Sequence, residues 1–287
     1  MDNLAAFFLL RSIAVSQERP VSMDMNNELA QGEERLATYL ARHVKGEAPF
    51  PEGQKLLRWI GDNQDQFASV LSFDLKTCRK IVYDFSRNGD VVIGGTSDPA
   101  RQTELMFAQM AAQDAPVGVG RYREDRICYQ SPQFKVGGEA RSQHLGIDLF
   151  LPAGTPVFMP LDGVVHSFAD NDLPLDYGPT IIMEHNPEPG ITFWTLYGHL
   201  SRESLVGLYE GKPFAKGEEL CQFGDYPING DWIPHLHFQI IFDLLGKRGD
   251  YFGAAKPSQW DVWEAICPNA NLILQMPENV TASREGV

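Results

Sequence analysis

The chain has 287 residues and a formal net charge of -14 at pH 7, with 24 lysine and arginine side chains against 38 aspartate and glutamate side chains. So negative a protein is not expected to bind nucleic acid or an anionic membrane, since both attract positive charge. The length predicts two domains rather than one, at roughly 100 to 200 residues per domain, and a hydrophobic content of 43% allows a sizeable core.

The chain begins with an apolar run, Leu4 to Leu10, which is too short to cross a bilayer because a spanning helix needs about 20 apolar residues. Asp2 stands where a secretory signal peptide carries positive charge, so a signal peptide with its best cleavage site at 14–16 is the less favoured interpretation. We expect this run to form a helix that packs on the first domain. The protein is therefore expected in the cytoplasm unless another route exports it.

Helix and strand patterns alternate up to residue 124, which predicts a small N-terminal α+β domain of unknown role. Helical spacing of apolar residues predicts helices over 28–43, 54–63 and 100–113. Strand patterns are found over 68–73 and 80–85. The pair Asn88-Gly89 predicts a hairpin turn, because Asn-Gly tolerates the positive φ of a type I′ turn. This part has no metal-ligand or nucleophile spacing, and the segment 117–126 is predicted to be a linker because its glycines lack phosphate-loop spacing.

Beyond residue 131, glycine and proline separate short β-rich segments. The predicted strands are 155–159, 163–168, 180–185, 191–197, 219–223 and 235–242. Such spacing favours an antiparallel sheet over βαβ units. A helix is predicted over 258–266, and residues 271–287 are predicted to be a mobile C-terminal tail. The four cysteines, none in C-x-x-C spacing, are predicted to be reduced: Cys78, Cys128, Cys221 and Cys267.

Three of the seven histidines lie in two short motifs, 144–148 (HLGID) and 234–238 (PHLHF). Side chains two and four positions apart in a strand project from one face, so His144 and Asp148 can converge on one metal ion, with Gly146 leaving room between them. The same period places His235 beside His237. One of these two histidines can then bind metal while the other handles protons.

Together with His199 in the segment 196–200 (LYGHL), these motifs resemble the lysostaphin-type (LytM-like) zinc metallopeptidase family. The similarity covers roughly residues 125–243 and includes, in the family's order, the segments 154–157, 160–165, 177–178, 181–185 and 216–217. A lone H-x-H is common by chance, whereas three motifs in this order are specific. The resemblance implies a metallopeptidase domain over 125–270, with a mainly antiparallel β core and a groove across one sheet.

The resemblance also implies the roles of five side chains. Zinc takes three protein ligands in a catalytic site and leaves one position for water, and His144, Asp148 and His237 are the implied ligands. His235 is implied as general base, and His199 as the group that orients the water or stabilises the oxyanion. Because zinc lowers the pKa of bound water to roughly 7, the implied reaction is hydrolysis of a peptide bond. The other histidines are interpreted as ordinary core or surface groups: His43, His166 and His185.

Three functions stay open at this point. The first is a zinc endopeptidase acting on a peptide or a peptidoglycan-derived substrate. The second is a cytoplasmic zinc amidohydrolase acting on a small peptide or amide. The third is a non-catalytic, zinc-stabilised module of an aminotransferase system, because residues from 117 onward also resemble the module between phosphotransferase-like and class-III aminotransferase domains in large bacterial chains.

Two segments near the predicted groove depart from the glycine-rich loops of the family. The segment 225–234 contains bulky Trp232 and Ile233, and the segment 170–176 is acidic. We therefore hypothesise a preference for small or cationic substrates over a glycine bridge. A further hypothesis is that the first domain shields the groove, in which case protein beginning near Ser131 would gain activity.

Overall fold

A mainly antiparallel sheet lies at the centre of the fold. The computed structural model describes residues 23–86, 98–126, 135–136 and 138–281. The strands in chain order are β1 (Lys80–Tyr83), β2 (Val117–Gly120), β3 (Lys135–Val136), β4 (Glu139–Ala140), β5 (Gln143–His144), β6 (Ile147–Phe150), β7 (Pro156–Phe158), β8 (Gly163–Asn171), β9 (Gly178–Glu188), β10 (Ile191–Gly198), β11 (Pro213–Phe214), β12 (Glu219–Gln222), β13 (His235–Ile241) and β14 (Ala254–Ala255). The helices are α1 (Met23–Val44), α2 (Gly53–Asp62), α3 (Pro99–Ala112), α4 (Trp260–Ile266), α5 (Asn271–Leu274) and α6 (Glu278–Thr281).

Eight strands form this sheet, in the order β1-β2-β6-β13-β10-β9-β8-β11. All neighbouring pairs are antiparallel except β1 and β2, which run parallel. Helices pack around it, and the main core cluster joins α2 and α4 to the sheet. The predicted α+β class with a mainly antiparallel sheet is confirmed. No helix among the described residues has both the length and the apolarity to cross a membrane.

The predicted strands after residue 131 are all present, with ends that differ from the predicted ones by at most three residues. In β8 the buried residues Val165 and Ser167 alternate with partly buried neighbours, while β13 is buried on both faces. The three predicted helices of the first part are confirmed as α1, α2 and α3, and α4 follows a short 3-10 turn at Pro257–Gln259. The three cysteines within the described ranges, Cys78, Cys221 and Cys267, are free.

The predicted strand over 68–73 is wrong. This segment forms bends, and its apolar residues Val70 and Leu71 are buried in the main core without joining a sheet. The apolar pattern of residues 68–73 therefore reflects the burial of these side chains and not pairing with another strand. Three other features lie outside the described residues: the apolar run 4–10, the Asn88-Gly89 turn and Cys128.

The linker predicted over 117–126 is also wrong, because its first four residues are β2, a buried strand between β1 and β6. The glycines of this strand allow neighbouring side chains to pack closely against its backbone. A Cβ atom on Gly118 would lie 2.6 Å from Cε2 of Tyr83, and one on Gly120 would lie 2.7 Å from Nη2 of Arg126. The glycine spacing therefore follows from the side chains that cross this strand.

The predicted domain boundary at residue 124 lies within this shared sheet, since β1 and β2 precede it and β6 follows it. In the same way, Trp59 of α2 contacts Phe193 of β10, with ring centroids 6.1 Å apart. The division into two domains stays a prediction. Protein beginning near Ser131 would leave one edge of β6 unpaired.

We therefore expect truncation before Ser131 to destabilise the protein rather than to activate it. Val117 and Val119 are fully buried, and each such side chain contributes about 1.5 to 3 kcal/mol through burial. Thermal unfolding of the full and truncated chains measures the loss. A truncated chain with an unchanged unfolding midpoint would contradict this expectation and restore the shielding hypothesis.

The segment 271–276 differs from the predicted mobile tail. Ile273 and Leu274 of α5 and the following Met276 are buried in the main core. Asn271 stabilises the end of this segment, because its side chain accepts a hydrogen bond from the backbone amide of Met276 at 2.8 Å. The predicted tail therefore begins, at the earliest, after these core residues.

The interpretation of His185 as a core residue is confirmed. Its Nδ1 lies 2.9 Å from the carbonyl oxygen of Asp162 and its Nε2 lies 2.8 Å from Oγ1 of Thr195. Burial lowers the pKa of His185 to about 4. In the unfolded chain its pKa is about 6.5, so between these values the unfolded state binds a proton that the folded state excludes.

The free energy of unfolding is therefore expected to fall as pH decreases from 6.5 to 4, with His185 contributing about 3 kcal/mol of that fall. Above pH 6.5 His185 is neutral in both the folded and the unfolded state, so this loss of stability is absent there. Urea unfolding of metal-free wild type and His185→Gln at several pH values measures the difference. Parallel pH profiles of the two proteins would show that His185 has no part in the dependence.

Candidate metal centre

Four neighbouring backbone segments bring the five predicted site residues together. β13 lies between β6 and β10, and its residue His237 pairs with Asp148 on one side and with Gly198 on the other. His235 is two residues earlier on the same face of β13, and His199 directly follows the end of β10. The structure therefore gathers on one face the residues that the sequence places about ninety positions apart.

His144 reaches the site by a route that differs from the predicted continuous strand. It belongs to β5, which pairs with β14, while Asp148 belongs to β6 of the main sheet. The chain between them passes through Leu145 and Gly146, and the amide of Leu145 bonds to the carbonyl of Gly253 at 2.9 Å. The His144 and Asp148 side chains thus meet across a break between two strands.

Three donor atoms from these side chains converge. Nε2 of His144 lies 2.9 Å from Nδ1 of His237. Oδ1 of Asp148 lies 3.2 Å from each of these nitrogens. All three side chains are buried. Two imidazoles and one carboxylate form a ligand set that suits zinc.

The hydrogen bonds behind the two imidazoles determine which nitrogen of each carries a proton. Nδ1 of His144 bonds to the carbonyl of Arg121 at 2.8 Å, and Nε2 of His237 bonds to Oε1 of Gln239 at 2.9 Å. Since the amide nitrogen of Gln239 donates to the carbonyl of Phe252, its Oε1 is the atom that faces His237. Both acceptors require N–H donors from the rings.

The two nitrogens that face each other therefore carry lone pairs, as does the carboxylate oxygen beside them. Three acceptors at about 3 Å repel one another, and a cation between them removes that repulsion. Outer hydrogen bonds of this kind commonly orient histidine ligands of metals. The donor set therefore fits a zinc ion.

Gly146 provides space at this centre, as predicted, but for a different group. A Cβ atom on it would lie 2.6 Å from both Cε1 and Nε2 of His237, and 2.9 Å from the carbonyl oxygen of Phe238. The space that glycine leaves is occupied by the ligand ring itself. Any larger residue at this position would force that ring or the strand to move.

His199 and His235 lie side by side next to the ligands, with ring centroids 4.2 Å apart. Nδ1 of His199 bonds to the carbonyl of Asn229 at 2.8 Å, and Nδ1 of His235 bonds to the carbonyl of Ile233 at 2.7 Å. When neutral, both rings therefore carry their lone pair on Nε2. Nε2 of His235 lies 3.9 Å from Oδ1 of Asp148.

The backbone of His199 has a φ of 64°, in the left-handed region that non-glycine residues seldom adopt. Hydrogen bonds maintain this conformation: its amide donates to the carbonyl of Tyr177 at 2.8 Å, and its carbonyl accepts from Gly224 at 2.9 Å. Backbone strain of this kind persists only where the surroundings impose it, and it is common at functional sites.

Burial sets the electrostatics of the centre, where His199 is 6% and His235 is 5% exposed. Burial, followed by the charge of Arg126, lowers the pKa of His144 to about 3. Burial likewise lowers the pKa of His199 and that of His235, which favours the neutral form of both rings. For Asp148 burial acts to raise the pKa, but the charge of Arg126 and the adjacent histidines hold it well below the usual value.

Sequence reasoning missed three side chains of this site. Gln239 was detectable, since it lies two residues after His237 on the same strand face. Tyr177 was named for the resemblance only, yet its hydroxyl is 3.3 Å from Nε2 of His237. Arg126, whose Nη1 is 2.6 Å from Oδ2 of Asp148, gave no signal because it belongs to the supposed linker.

Trp232 lies beside the site as expected from the bulky loop, with its ring centroid 6.1 Å from that of His199. Its indole nitrogen donates to the carbonyl of Asp176 at 3.1 Å, which joins the loop 225–234 to the acidic segment 170–176. Ile233 is buried in a second apolar cluster with Phe150. The two segments therefore form one wall next to His199.

Comparison with known proteins finds a match to the part of the chain that contains the five candidate residues. Residues 142–248 match the family described as Peptidase family M23. The peptidoglycan DD-endopeptidase ShyA of Vibrio cholerae is 31% identical over 104 residues, which are 34% of this chain and 20% of that protein. The chain therefore spans a fifth of the length of this curated relative.

Two solved structures are similar over part of the chain. A zinc-containing peptidase from Vibrio cholerae is 27% identical, with a TM-score of 0.29, over 36% of this chain and 28% of that chain. The catalytic domain of lysostaphin from Staphylococcus simulans is 23% identical, with a TM-score of 0.29, over 45% of this chain and 85% of that one. Similarity of amino-acid sequence, and not similarity of structure, therefore carries the family match.

Proposed function

We propose, from the match of residues 142–248 to the peptidase M23 family, that this chain hydrolyses a peptide bond with a zinc ion bound by His144, Asp148 and His237. The observation that carries the proposal is the convergence of three acceptor atoms at about 3 Å, with neutral bases beside them. When bound, zinc supplies Lewis acidity that activates water and polarises the scissile carbonyl.

The protein's own residues supply the proton transfers. His235, with Nε2 as its lone-pair nitrogen, accepts a proton from the attacking water and passes it to the leaving amine nitrogen. His199 also has its lone pair at Nε2, so as a neutral base it accepts a hydrogen bond from that water and orients it. Its Nδ1 proton is committed to Asn229, which favours this role over oxyanion stabilisation.

A peptidoglycan-derived peptide is the substrate class that we favour, since the similar Vibrio cholerae protein carries that activity in its name. The test is a screen of muropeptides, short peptides and small amides against zinc-loaded protein and chelator-treated protein. We expect cleavage of a peptide bond that chelation abolishes and zinc restores. Zinc binding without turnover of any of these compounds would instead favour the non-catalytic module of an aminotransferase system.

Burial of the site favours a second candidate, a cytoplasmic zinc amidohydrolase acting on a small peptide or amide. None of the five site residues is more than 6% exposed, and the net charge of -14 is unfavourable for contact with anionic wall polymers. The relative turnover of cross-linked muropeptides and short free peptides separates these candidates. Fractionation of the native cell adds an independent criterion, because protein confined to the cytosol excludes mature wall as its target.

A further inference from the structure

Arg126 extends from outside the matched peptidase domain into the metal centre. We propose that it is a positioning residue: it holds Oδ2 of Asp148 so that only Oδ1 faces the two ligand imidazoles. This inference rests on the metal site of the proposed function. It assigns to the segment that precedes the matched residues 142–248 a direct role in shaping that site.

The two oxygens of Asp148 have separate partners. Oδ2 accepts a hydrogen bond from Nη1 of Arg126 at 2.6 Å, while Oδ1 lies 3.2 Å from the ligand nitrogens of His144 and His237. Asp148 is 1% exposed and Arg126 is 5% exposed, so water does not compete for this contact. Hydrogen bonds between two charged groups are among the strongest in proteins.

The guanidinium group of Arg126 is itself held in place. Its Nε donates to Oε2 of Glu124 at 3.1 Å, and the other oxygen of Glu124 accepts from the backbone amide of Phe85 at 3.1 Å. The ring of Phe85 lies 5.1 Å below the guanidinium carbon. These contacts fix the orientation of Arg126 independently of Asp148.

The backbone of this segment is also joined to the ligand-bearing strand β5. The amide of Arg126 bonds to the carbonyl of Ser142 at 2.9 Å, and the amide of His144 bonds to the carbonyl of Glu124 at 3.1 Å. Adjacent backbone hydrogen bonds therefore join the segment of Arg126 to that of His144. A change in the position of the arginine is transmitted to both sides of the metal centre.

Gly120 of β2 provides the space that the arginine occupies. A Cβ atom there would lie 2.7 Å from Nη2 of Arg126 and 3.3 Å from Oδ2 of Asp148. The φ of Gly120 is outside the left-handed region, so backbone conformation does not require glycine at this position. The close approach of the ion pair is the physical reason for it.

The chemical consequence concerns how many coordination positions of the metal ion are occupied by protein atoms. A carboxylate can bind a metal ion through one oxygen or two. A catalytic zinc site needs an open position beside its three protein ligands. By holding Oδ2, Arg126 limits Asp148 to one oxygen and keeps that position open.

The experiment compares cobalt-substituted wild type, Arg126→Gln and Arg35→Gln by visible absorption, since coordination geometry determines the spectrum. Arg35 is the control, because its Nε also donates to an aspartate oxygen, Oδ2 of Asp243 at 2.9 Å, in an ion pair outside the metal centre. Wild type and Arg35→Gln should show the intense absorption of four-coordinate cobalt. Arg126→Gln should bind cobalt but show the weaker spectrum of higher coordination.

Gly120→Ala provides a second variant in case Arg126→Gln does not fold, because it displaces the guanidinium without removing a charge. We expect the same spectral change, together with a fall in kcat of at least about tenfold and little change in KM. Four-coordinate spectra in both variants would overturn the inference while leaving the peptidase proposal intact. Higher coordination in wild type would also overturn it, and wild type that binds no metal would overturn both proposals.

Discussion

Replacing His235 with alanine is expected to reduce peptide hydrolysis by about 10²- to 10⁴-fold, the usual contribution of a general base. The side chain is not a ligand in the proposed site, so zinc should stay bound. Its lone-pair nitrogen lies 3.9 Å from Oδ1 of Asp148, and its other nitrogen is committed to the carbonyl of Ile233. Steady-state kinetics on zinc-loaded protein, with metal content measured in parallel, give the result.

His166→Ala is the matched control, because His166 also lies on a strand of the main sheet but contacts Ser167 and not the metal centre. Its hydrolysis rate should equal that of wild type. The His235 ring stacks on that of Phe150, with ring centroids 5.0 Å apart. A second variant, His235→Gln, retains more of the side-chain volume and therefore distinguishes lost catalysis from lost packing. Turnover that survives both substitutions would remove His235 from the mechanism.

Gly146→Ala is expected to weaken zinc binding by at least about tenfold, although alanine adds only one carbon atom. The added Cβ atom would lie 2.6 Å from Nε2 of His237 and 2.9 Å from a backbone oxygen. The strand cannot move away easily, so the ligand ring must shift, and its bond to Gln239 would be broken. Competition with a chromogenic chelator measures the affinity.

Gly61→Ala in α2 is the control for this prediction. A Cβ atom there meets nothing within 4 Å, and alanine in a helix is more favourable than glycine by up to about 1 kcal/mol. Zinc affinity should be unchanged and stability slightly increased. Equal zinc affinities for Gly146→Ala and wild type would show that the ligand ring accommodates the methyl group, contrary to the structure.

The four site histidines share one arrangement, in which a nitrogen of each ring is committed to an oxygen acceptor. His144, His199 and His235 use backbone carbonyls, and His237 uses the side chain of Gln239. Backbone carbonyls are fixed by the sheet and its loops, so the ring orientations are set before substrate arrives. This preorganisation is what holds a catalytic geometry in place.

Much of the candidate site was predictable because it depends on local order along the chain. The motif 234–238 lies on one strand, where a period of two places His235 and His237 on one face. The tertiary route of His144 was not predictable, since nothing in the segment 144–148 shows that two strands meet there. The left-handed backbone of His199 was equally hidden, because its hydrogen bonds come from distant residues.

The sequence by itself predicted the fold class, the strands after residue 131 and, through the resemblance of its motifs to a known family, the five candidate site residues. The fold class and the strands follow from residue spacing and apolar periodicity, which are properties of the chain. Only the tertiary structure decided that 117–120 is a buried strand and that Arg126 contacts Asp148. Such contacts join residues far apart in sequence, and their free energy depends on packing that no local pattern records.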